Sequence, residues 1–339
     1  MRVLALATCG LAIVAACGTY GASDDETPSP PADGGGADGT ANDGTTDLTD
    51  GGSETSPDGG RSVVVLAKNQ PGAYGIAANE TNVYWTDQDL GEIRTVPVSG
   101  GVVAAMATYG GAPTNLRVKA DGTVTWGDQG NTPGLRRITG GASVTFLYTG
   151  PVGAFADLPN SETAVVSSKN AYLKVVDSNG DAGPGFGPYG SPTDVIPDGI
   201  TAVWTASSDA QLWKVESGFA SVLATNEPDC QLLAANSDGV YWTRVFEGLI
   251  RKLDRADAKS TIADSQQEPY SIAADASGVY WLTMDGAVRR WSQSGGVVTL
   301  ATGQPTAINA ETRVRSHSLA TTSAYVVWLT GQDVRRIEK

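Results

Sequence analysis

The stretch Asn82-Val83-Tyr84-Trp85-Thr86-Asp87, followed by Gly91-Glu92-Ile93-Arg94 and a Gly100-Gly101 turn, is the fullest copy of a pattern that repeats along the chain. The tryptophan of this pattern recurs about every 40 residues, which is the length of one β-propeller blade. Six tryptophans serve as anchors, namely Trp85, Trp126, Trp204, Trp242, Trp281 and Trp328. Val165-Val166 fills the gap between the second and third anchors and is interpreted as a weaker, seventh one. The spacing therefore predicts seven blades.

Each copy of the pattern predicts four short strands joined by tight turns. In the first copy the predicted strands, from the innermost outward, are Tyr74–Ala78, Val83–Asp87, Glu92–Val98 and Val102–Ala107. Residues that tolerate tight backbone geometry lie between them. No segment between residues 61 and 339 keeps a 3.6-residue apolar period, so almost no helix is expected. The predicted fold is all-β, a seven-bladed β-propeller of four-stranded antiparallel blades over residues 61–339.

The two ends of this region predict how the ring closes. Ser62–Ala67 resembles an outermost strand, whereas the last copy stops after Asp333–Glu338, which resembles a third strand. Pairing of these segments would complete the last blade and cover two sheet edges that otherwise promote aggregation. Glycines and prolines between residues 181 and 190 argue against an outer strand in the third copy. The last copy also carries an insertion around residues 309–315.

These motifs resemble the YWTD and NHL propeller families, and the form of the repeat is similar to that of uncharacterised lipoproteins from myxobacteria. The resemblance covers about residues 61–339. Tyr84–Asp87 with Arg94 is the full match, and Trp126-Gly127-Asp128 keeps the acid, whereas Tyr241-Trp242-Thr243-Arg244 replaces it with a base. Extracellular YWTD domains usually have six blades, and this chain has seven copies. The resemblance therefore implies a fold and no particular activity.

The N-terminal residues predict the cellular location of the protein. One cation, Arg2, precedes an apolar run from Val3 to Ala16 that has the length of a signal peptide and is too short to span a membrane. The run ends in Val14-Ala15-Ala16-Cys17, which resembles a bacterial lipobox. We expect a signal peptide over residues 1–16, cleavage before Cys17 and lipidation of its thiol; the alternative is an ordinary secretory signal cut a few residues later. Gly18 resembles an outer-membrane signal, so the expected location is the bacterial cell envelope, anchored by lipid in the outer membrane.

Residues 17–60 predict an acidic, disordered tether after the lipidated cysteine. Residues 18–60 contain ten acidic side chains and no basic one, and glycine, proline, serine and threonine supply most of the rest. Such a segment cannot bury enough apolar surface to fold. Its acids do not follow the spacing of an EF-hand loop, so no calcium site is expected. The propeller itself is only mildly acidic and shows no basic stripe, which argues against a nucleic-acid partner.

The scarcity of histidine and cysteine limits the possible chemistry. Cys230 is the only cysteine left after Cys9 and Cys17, so no intrachain disulfide is expected and its side chain is interpreted as buried. His317 is the only histidine, which excludes a multi-histidine metal site. Seven-bladed lyases that resemble virginiamycin B lyase rely on more catalytic groups than the single histidine of this chain can supply. No cofactor is expected.

Two repeated features are interpreted as structural. The tryptophan anchors are expected to pack between adjacent blades. One or two bases recur in each predicted third strand: Arg94, Arg136, Arg137, Lys174, Lys214, Arg251, Lys252, Arg289, Arg290, Arg335 and Arg336. We expect them at mid-blade, partly paired with acids of the second strand, as in an Asp87–Arg94 pair, and not as a cationic binding ring.

The face on which the inner strands begin is the expected binding surface. Counting back from the anchors places one residue of each copy there: Tyr74, Thr114, Ala154, Thr193, Gln231, Tyr270 and His317. Loops between second and third strands share this face and vary between copies, as functional loops on a rigid scaffold do. The predicted binding residues are Tyr74, Gln231, Tyr270, His317 and Phe246, and the expected ligand is a protein, a peptide or a glycan.

An enzyme is the alternative function. An envelope lyase or hydrolase would use His317 together with an acid such as Glu268 or Glu311. A carboxylate within hydrogen-bonding distance of His317 in the central funnel would favour this alternative. A histidine on the outer surface, or packed without such a partner, would argue against it.

Overall fold

The computed structural model describes residues 53–55, 61–140, 143–159, 161–167, 171–187, 190–216, 218–306 and 317–339, with only the backbone given for the first of these ranges. The predicted signal peptide, Cys17, most of the predicted tether, Glu311 and the insertion around 309–315 lie outside the described residues. Within the described part of the chain, no helix is long and apolar enough to cross a membrane.

The chain forms seven antiparallel sheets arranged as the blades of a β-propeller. Two strands come before the first complete blade: β1 (Ser53–Thr55) and β2 (Ser62–Ala67). Blade 1 consists of β3 (Ala73–Ala78), β4 (Asn82–Asp87), β5 (Glu92–Pro97) and β6 (Ala104–Thr108). Blade 2 consists of β7 (Pro113–Val118), β8 (Val124–Asp128), β9 (Gly134–Ile138) and β10 (Thr145–Thr149). Blade 3 consists of β11 (Ala154–Asp157), β12 (Thr163–Ser167) and β13 (Tyr172–Val176).

The remaining blades follow the same order from the innermost strand outward. Blade 4 consists of β14 (Val195–Asp198), β15 (Thr201–Ala206), β16 (Gln211–Glu216) and β17 (Phe219–Thr225). Blade 5 consists of β18 (Cys230–Asn236), β19 (Gly239–Arg244), β20 (Leu249–Asp254) and β21 (Lys259–Ala263). Blade 6 consists of β22 (Pro269–Asp275), β23 (Gly278–Thr283), β24 (Val288–Ser292) and β25 (Gly296–Ala301). Blade 7 begins with β26 (Leu319–Thr321), β27 (Tyr325–Leu329) and β28 (Val334–Glu338).

The N-terminal strand completes blade 7, as the sequence predicts. Strand β2 pairs antiparallel with β28, and Val64 faces Arg336 while Ala67 faces Val334. Strand β1 adds a fifth strand on the outer side of β2, with Ser53 opposite Val64. Residues 53–55 lie inside the segment assigned to the tether, so the propeller begins before the predicted boundary at residue 61.

Among its described residues, blade 3 has no regular outer strand, which confirms the expectation from its glycines and prolines. The segment after β13 instead makes two isolated bridges, Leu173 with Phe186 and Val176 with Ala182. These bridges satisfy part of the edge of β13, because the backbone groups of Leu173 and Phe186 exchange both hydrogen bonds. The only helical element in the described residues is a 3₁₀ turn, Ser207–Asp209, between β15 and β16.

Seven buried clusters of apolar side chains hold the described ring together, and each belongs to two consecutive blades. Trp85 packs with Val327 and Leu329 of blade 7, and Trp328 packs with Tyr280 and Leu300 of blade 6. All six anchor tryptophans are at most 1% exposed. Burial of an aromatic side chain of this size contributes a few kcal/mol, so the repeat encodes the contacts between blades. Val166 takes the anchor position in blade 3.

The threonine that follows the anchor explains another part of the repeat. The Thr86 hydroxyl accepts a hydrogen bond from the backbone N–H of Gly75 at 2.9 Å. In blade 4 the Thr205 hydroxyl accepts the backbone N–H groups of Thr193 and Asp194 at 3.1 and 3.0 Å. In blades 1 and 2, and again in blades 5 and 6, the pairing register slips near the start of the inner strand, so backbone donors lose their ladder partners there. In blades 1, 4 and 5 this threonine thus accepts backbone donors near the start of the inner strand, and in blade 4 the donors include the N–H of Asp194.

Candidate functional site

The inner strands begin on the same face of the ring on which the second strands end, because the two strands are antiparallel neighbours. Ala73 faces Asp87, Cys230 faces Arg244 and Pro269 faces Thr283 across these pairs. We call this side of the ring the funnel face. It carries the starts of the seven inner strands and the hairpins between second and third strands.

Three polar side chains from three different blades meet in the central channel. Nε2 of His317, just before β26 in blade 7, lies 2.8 Å from Oδ1 of Asp194, just before β14 in blade 4. The same nitrogen lies 3.1 Å from a terminal nitrogen of Arg117, in β7 of blade 2. None of these blades is next to another in the ring, so the three side chains can meet only across the channel.

Asp194 is the most strongly held member of this group. It is 0% exposed, and its Oδ1 accepts the backbone N–H of Val195 at 2.8 Å. Its Oδ2 accepts the backbone N–H of Leu233, in the inner strand of blade 5, at 2.8 Å. A buried carboxylate requires such donors, because an unpaired buried charge is costly. Asp194 therefore links blades 4, 5 and 7.

The two contacts of His317 Nε2 cannot both be ordinary hydrogen bonds. An arginine can only donate, and a ring nitrogen either donates or accepts at one time. The shorter contact assigns the proton on Nε2 to the bond toward Asp194, which leaves the contact with Arg117 without a hydrogen bond. Arg117 donates instead to the backbone oxygen of Leu116 at 3.3 Å, and its guanidinium lies 5.9 Å from the ring centre of Phe155.

Burial lowers the pKa of Arg117, whereas the nearby charges of Asp194 and Asp157 act in the opposite direction. An arginine remains a cation under such conditions. Among the described residues, the Arg117 guanidinium and the Asp194 carboxylate therefore flank the only histidine of the chain.

Sequence reasoning placed His317 in the funnel but missed Arg117 and Asp194. The carboxylate beside His317 is Asp194, which replaces Glu268 in the predicted pair. The sequence did contain a signal for Arg117. In each blade one inner-strand residue pairs with the anchor, and Arg117 is the next residue along the strand in blade 2. The equivalent residues of the other six blades are all apolar: Ala77, Phe155, Ile196, Ala234, Ala273 and Ala320. A charged residue at this position therefore marks blade 2 as a candidate for a functional role.

Tyr270 does not fit its predicted role as an exposed binding residue. Its side chain is 2% exposed and belongs to the cluster shared by blades 6 and 7, together with Tyr280 and Trp328. The register also corrects one member of the predicted column. Ala154 pairs with Val166 as Ile76 pairs with Trp85, so Val152 is the counterpart of Tyr74 in blade 3.

Tyr74 and Gln231 are half-buried on the funnel face. Burial raises the pKa of the Tyr74 phenol. The Gln231 amide donates to Asp229 Oδ1 at 2.9 Å, and its backbone oxygen accepts the Thr193 hydroxyl at 2.9 Å. Phe246, by contrast, is 64% exposed and lies on the hairpin between β19 and β20.

A buried carboxylate organises the base of that hairpin. Glu227 is 0% exposed and accepts the indole N–H of Trp242 at 3.0 Å. Its oxygens also lie within 4.0 Å of three cations, Arg244, Arg251 and Lys259. Blade 5 has a base, Arg244, where the repeat has its acid, and Glu227 supplies the missing carboxylate from the preceding loop.

The hairpin itself is tied down at both ends. Arg244 donates to the backbone oxygen of Pro228 at 3.1 Å and to the Glu247 carboxylate. The backbone N–H of Phe246 donates to Asp229 Oδ2 at 2.6 Å. The Phe246 ring is therefore presented to solvent from a fixed backbone.

The third-strand bases lie within the blades and form no ring around the funnel. Asp87 and Arg94 make an ion pair at 3.6 Å, and Arg94 also donates to Gln70 at 3.1 Å. Arg335 donates to Gln304 in the same way at 3.0 Å. In blades 3 and 4 the position opposite the anchor is apolar, Leu173 and Trp213.

Cys230 is 0% exposed. Burial, with the negative charge of Glu227 next in importance, raises the pKa of its thiol to about 12. The thiol therefore stays protonated near neutral pH and is a poor nucleophile. Among the described residues, no group of three or more His, Cys, Asp and Glu side chains could hold a metal ion.

No protein-family model matches the chain, and no curated protein matches it. Solved structures do resemble it. A streptogramin B lyase structure aligns with 13% identity and a TM-score of 0.67, covering 81% of this chain and 97% of the lyase. The WD40 repeats of RRP9 align with 13% identity and a TM-score of 0.63, covering 81% and 97%. A chain of a nidogen/laminin complex aligns with 15% identity and a TM-score of 0.52, covering 76% and 96%.

These likenesses show the β-propeller fold alone, because the sequence identities are low. The similar structures include a lyase and a chain from a protein complex, so the fold does not decide between catalysis and binding. The choice between catalysis and binding therefore depends on the geometry of the funnel face.

Proposed function

We propose that this chain is a lipid-anchored protein of the bacterial cell envelope whose propeller is a non-enzymatic binding module for a protein, a peptide or a glycan. The observation that carries the proposal is the Phe246 hairpin on the funnel face. Its aromatic ring is 64% exposed, whereas the backbone beneath it is held by Asp229 and by the cluster around Glu227.

A large apolar side chain held in solvent by a rigid backbone is suited to recognition. Aromatic residues dominate binding hot spots, and one such residue contributes about 2 kcal/mol or more to an interface. A fixed backbone also lowers the entropy lost on binding. Tyr74 and Gln231 are half-buried on the same face and extend the proposed contact surface.

The N-terminal sequence supports the proposed location. The lipobox-like Val14–Cys17 and the acidic segment after it are typical of a lipid-anchored domain on a tether. As proposed, a flexible tether over residues 18–52 would span about 30–35 Å root-mean-square. The proposed tether would thus keep the propeller close to the membrane surface. We include an anchor in the outer membrane in the proposal.

Affinity capture tests the binding function. Detergent-solubilised full-length protein is used as bait with envelope extract, and captured molecules are identified by mass spectrometry. Phe246→Ser should reduce capture of a specific partner at least tenfold. Phe219→Ser is the matched control, because Phe219 is 79% exposed but lies at the start of β17, on the opposite face. A loss with Phe219→Ser and none with Phe246→Ser would place binding on the opposite face and refute the proposal.

A second candidate, an envelope lyase or hydrolase, is favoured by one observation. His317 has a carboxylate within hydrogen-bonding distance in the channel, at 2.8 Å, which is the arrangement expected of a histidine base and its orienting acid. Streptogramin B is the first substrate to test, given the similar lyase structure. Consumption of streptogramin B by the wild-type protein, and its loss in His317→Ala, would favour the enzyme over the binding module.

A further inference from the structure

We infer that the channel beneath the funnel face binds a carboxylate group of the ligand through the Arg117 guanidinium. The inference rests on the proposed binding function and names the chemistry of one part of the ligand. The partners of Arg117 differ from those of most other arginines of the propeller.

The partly buried arginines of the described blades are mostly paired with acids. Carboxylates lie within 4.0 Å of Arg94, Arg136, Arg137, Arg244, Arg251, Arg289 and Arg335. Arg117 has no carboxylate within that distance among the described residues. A desolvated cation without a paired anion is unfavourable, so this position is stabilised when an anion arrives.

Asp194 cannot serve as that anion in the present arrangement. Its two oxygens already accept the backbone N–H groups of Val195 and Leu233 and the imidazole of His317. The imidazole stands between the carboxylate and the guanidinium, 2.8 Å from one and 3.1 Å from the other. The charge of Asp194 is thus used to hold three blades together.

Most of the donors of Arg117 remain uncommitted. A guanidinium has five N–H donors, and within the described residues one of them bonds to the backbone oxygen of Leu116. The contact with His317 is not a hydrogen bond when Nε2 donates to Asp194. A carboxylate matches the remaining donors, because its two oxygens accept two parallel N–H groups of a guanidinium.

Asn115, in the same strand, points to a second feature of the ligand. Its side-chain amide donates to the backbone oxygen of Gly153 at 3.4 Å, whereas its Oδ1 is buried and has no hydrogen-bond partner in the described residues. A carboxylate can only accept hydrogen bonds and would not satisfy this acceptor, whereas an amide N–H next to the carboxylate would. The C-terminal end of a peptide carries both groups.

The single histidine supplies a clean reporter for the test. Because His317 is the only histidine and touches Arg117, its imidazole NMR signals in full-length protein labelled at histidine report on this site alone. The probe is N-acetylglycine, which models a peptide C-terminus, and the matched uncharged probe is N-acetylglycinamide. We expect N-acetylglycine to shift the His317 signals in a saturable way and N-acetylglycinamide to leave them unchanged.

Arg117→Gln should weaken N-acetylglycine binding at least tenfold, while Arg255→Gln, at an exposed arginine on the opposite face, should not. Arg117→Lys keeps the charge and covers the case in which Arg117→Gln does not fold; it should bind with intermediate affinity. Equal shifts with both probes, or unchanged binding in Arg117→Gln, would overturn the inference.

The proposed function is tested separately by the Phe246 variants. Capture that depends on Phe246, together with His317 signals that do not respond to N-acetylglycine, would refute the carboxylate site alone. A response to N-acetylglycine without any partner captured through Phe246 would refute the proposed binding surface and leave the carboxylate site standing.

Discussion

The imidazole Nε2 of His317 lies 2.8 Å from Oδ1 of Asp194, although 123 residues separate the two in the chain. The contact joins the inner strands of blades 4 and 7 across the channel. Asp194 also accepts a backbone donor from the adjacent blade 5, so one buried carboxylate connects blade 7 with blades 4 and 5, neither of which lies next to blade 7 in the ring. The Asp194 carboxylate should therefore contribute to the stability of the whole propeller.

Removal of the Asp194 carboxylate tests how much it contributes to the stability of the propeller. Asp194→Ala leaves the buried N–H groups of Val195 and Leu233 and the imidazole without their acceptor, so the free energy of unfolding should fall by about 2–4 kcal/mol. Asp198→Ala is the control, because Asp198 pairs with the exposed Arg255 and should cost less than about 1 kcal/mol. Urea unfolding followed by tryptophan fluorescence measures both. Equal losses would mean that Asp194 is not a hub of the ring.

Ring closure predicts a contrast between two deletions. Removal of residues 61–67 takes β2 from blade 7 and exposes the edge of β28, so the melting temperature of the whole propeller should drop sharply. Removal of residues 21–52 keeps β1 and β2 and should leave the melting temperature almost unchanged. Differential scanning calorimetry gives both values, and similar behaviour of the two deletions would contradict closure by β2.

Tyr270 and Phe246 should separate stability from binding. Tyr270→Ala removes an aromatic ring from the cluster between blades 6 and 7 and should destabilise the propeller by about 3–5 kcal/mol. Phe246→Ala removes an exposed ring and should leave the free energy of unfolding within about 0.5 kcal/mol of the wild type. Chemical denaturation distinguishes the two, and a Tyr270→Ala variant as stable as the wild type would show that the ring is not part of the core.

An acid-sensitive link is expected between blades 6 and 7. Burial alone would raise the pKa of Asp275, but hydrogen bonds from Lys339 and Ser277 outweigh it and hold the pKa below its usual value. A lowered folded-state pKa stabilises the protein above the unfolded-state pKa, about 3.9 for an aspartate, and the contribution disappears as the pH falls through the folded-state pKa.

Asp275→Asn tests this predicted dependence of stability on pH. The variant should be less stable than the wild type at pH 7, and the difference should shrink as the pH is lowered below about 3.9. Unfolding by urea at a series of pH values measures the difference, with Asp238→Asn as an exposed control. A difference that stays constant or grows in acid would contradict the role of the Asp275–Lys339 contact.

Lipidation at Cys17 remains a prediction from the sequence. Cys17→Ala should abolish incorporation of labelled palmitate and release the protein from the membrane fraction of an expressing bacterium. Cys230→Ala should leave both unchanged, because the Cys230 thiol is fully buried. Labelling that survives Cys17→Ala would show that the lipobox assignment is wrong.

The repeat alone determined the number of blades, the order of their strands, the irregular edge of blade 3 and closure by Ser62–Ala67. These features depend on residues close together in one copy, or on two chain ends that match an incomplete copy, so periodicity is sufficient to predict them. The same holds for the burial of Trp85 and its counterparts, because every blade places its anchor against the next. Only the tertiary structure decided which side chains form the site. Arg117, Asp194 and His317 come from blades 2, 4 and 7, and no local pattern relates them, since their contact arises when seven separate inner strands converge on one narrow channel. Tyr270 and Gln231 start equivalent strands, yet neighbouring blades bury the first and leave the second half-exposed, because packing between blades sets the burial of each side chain.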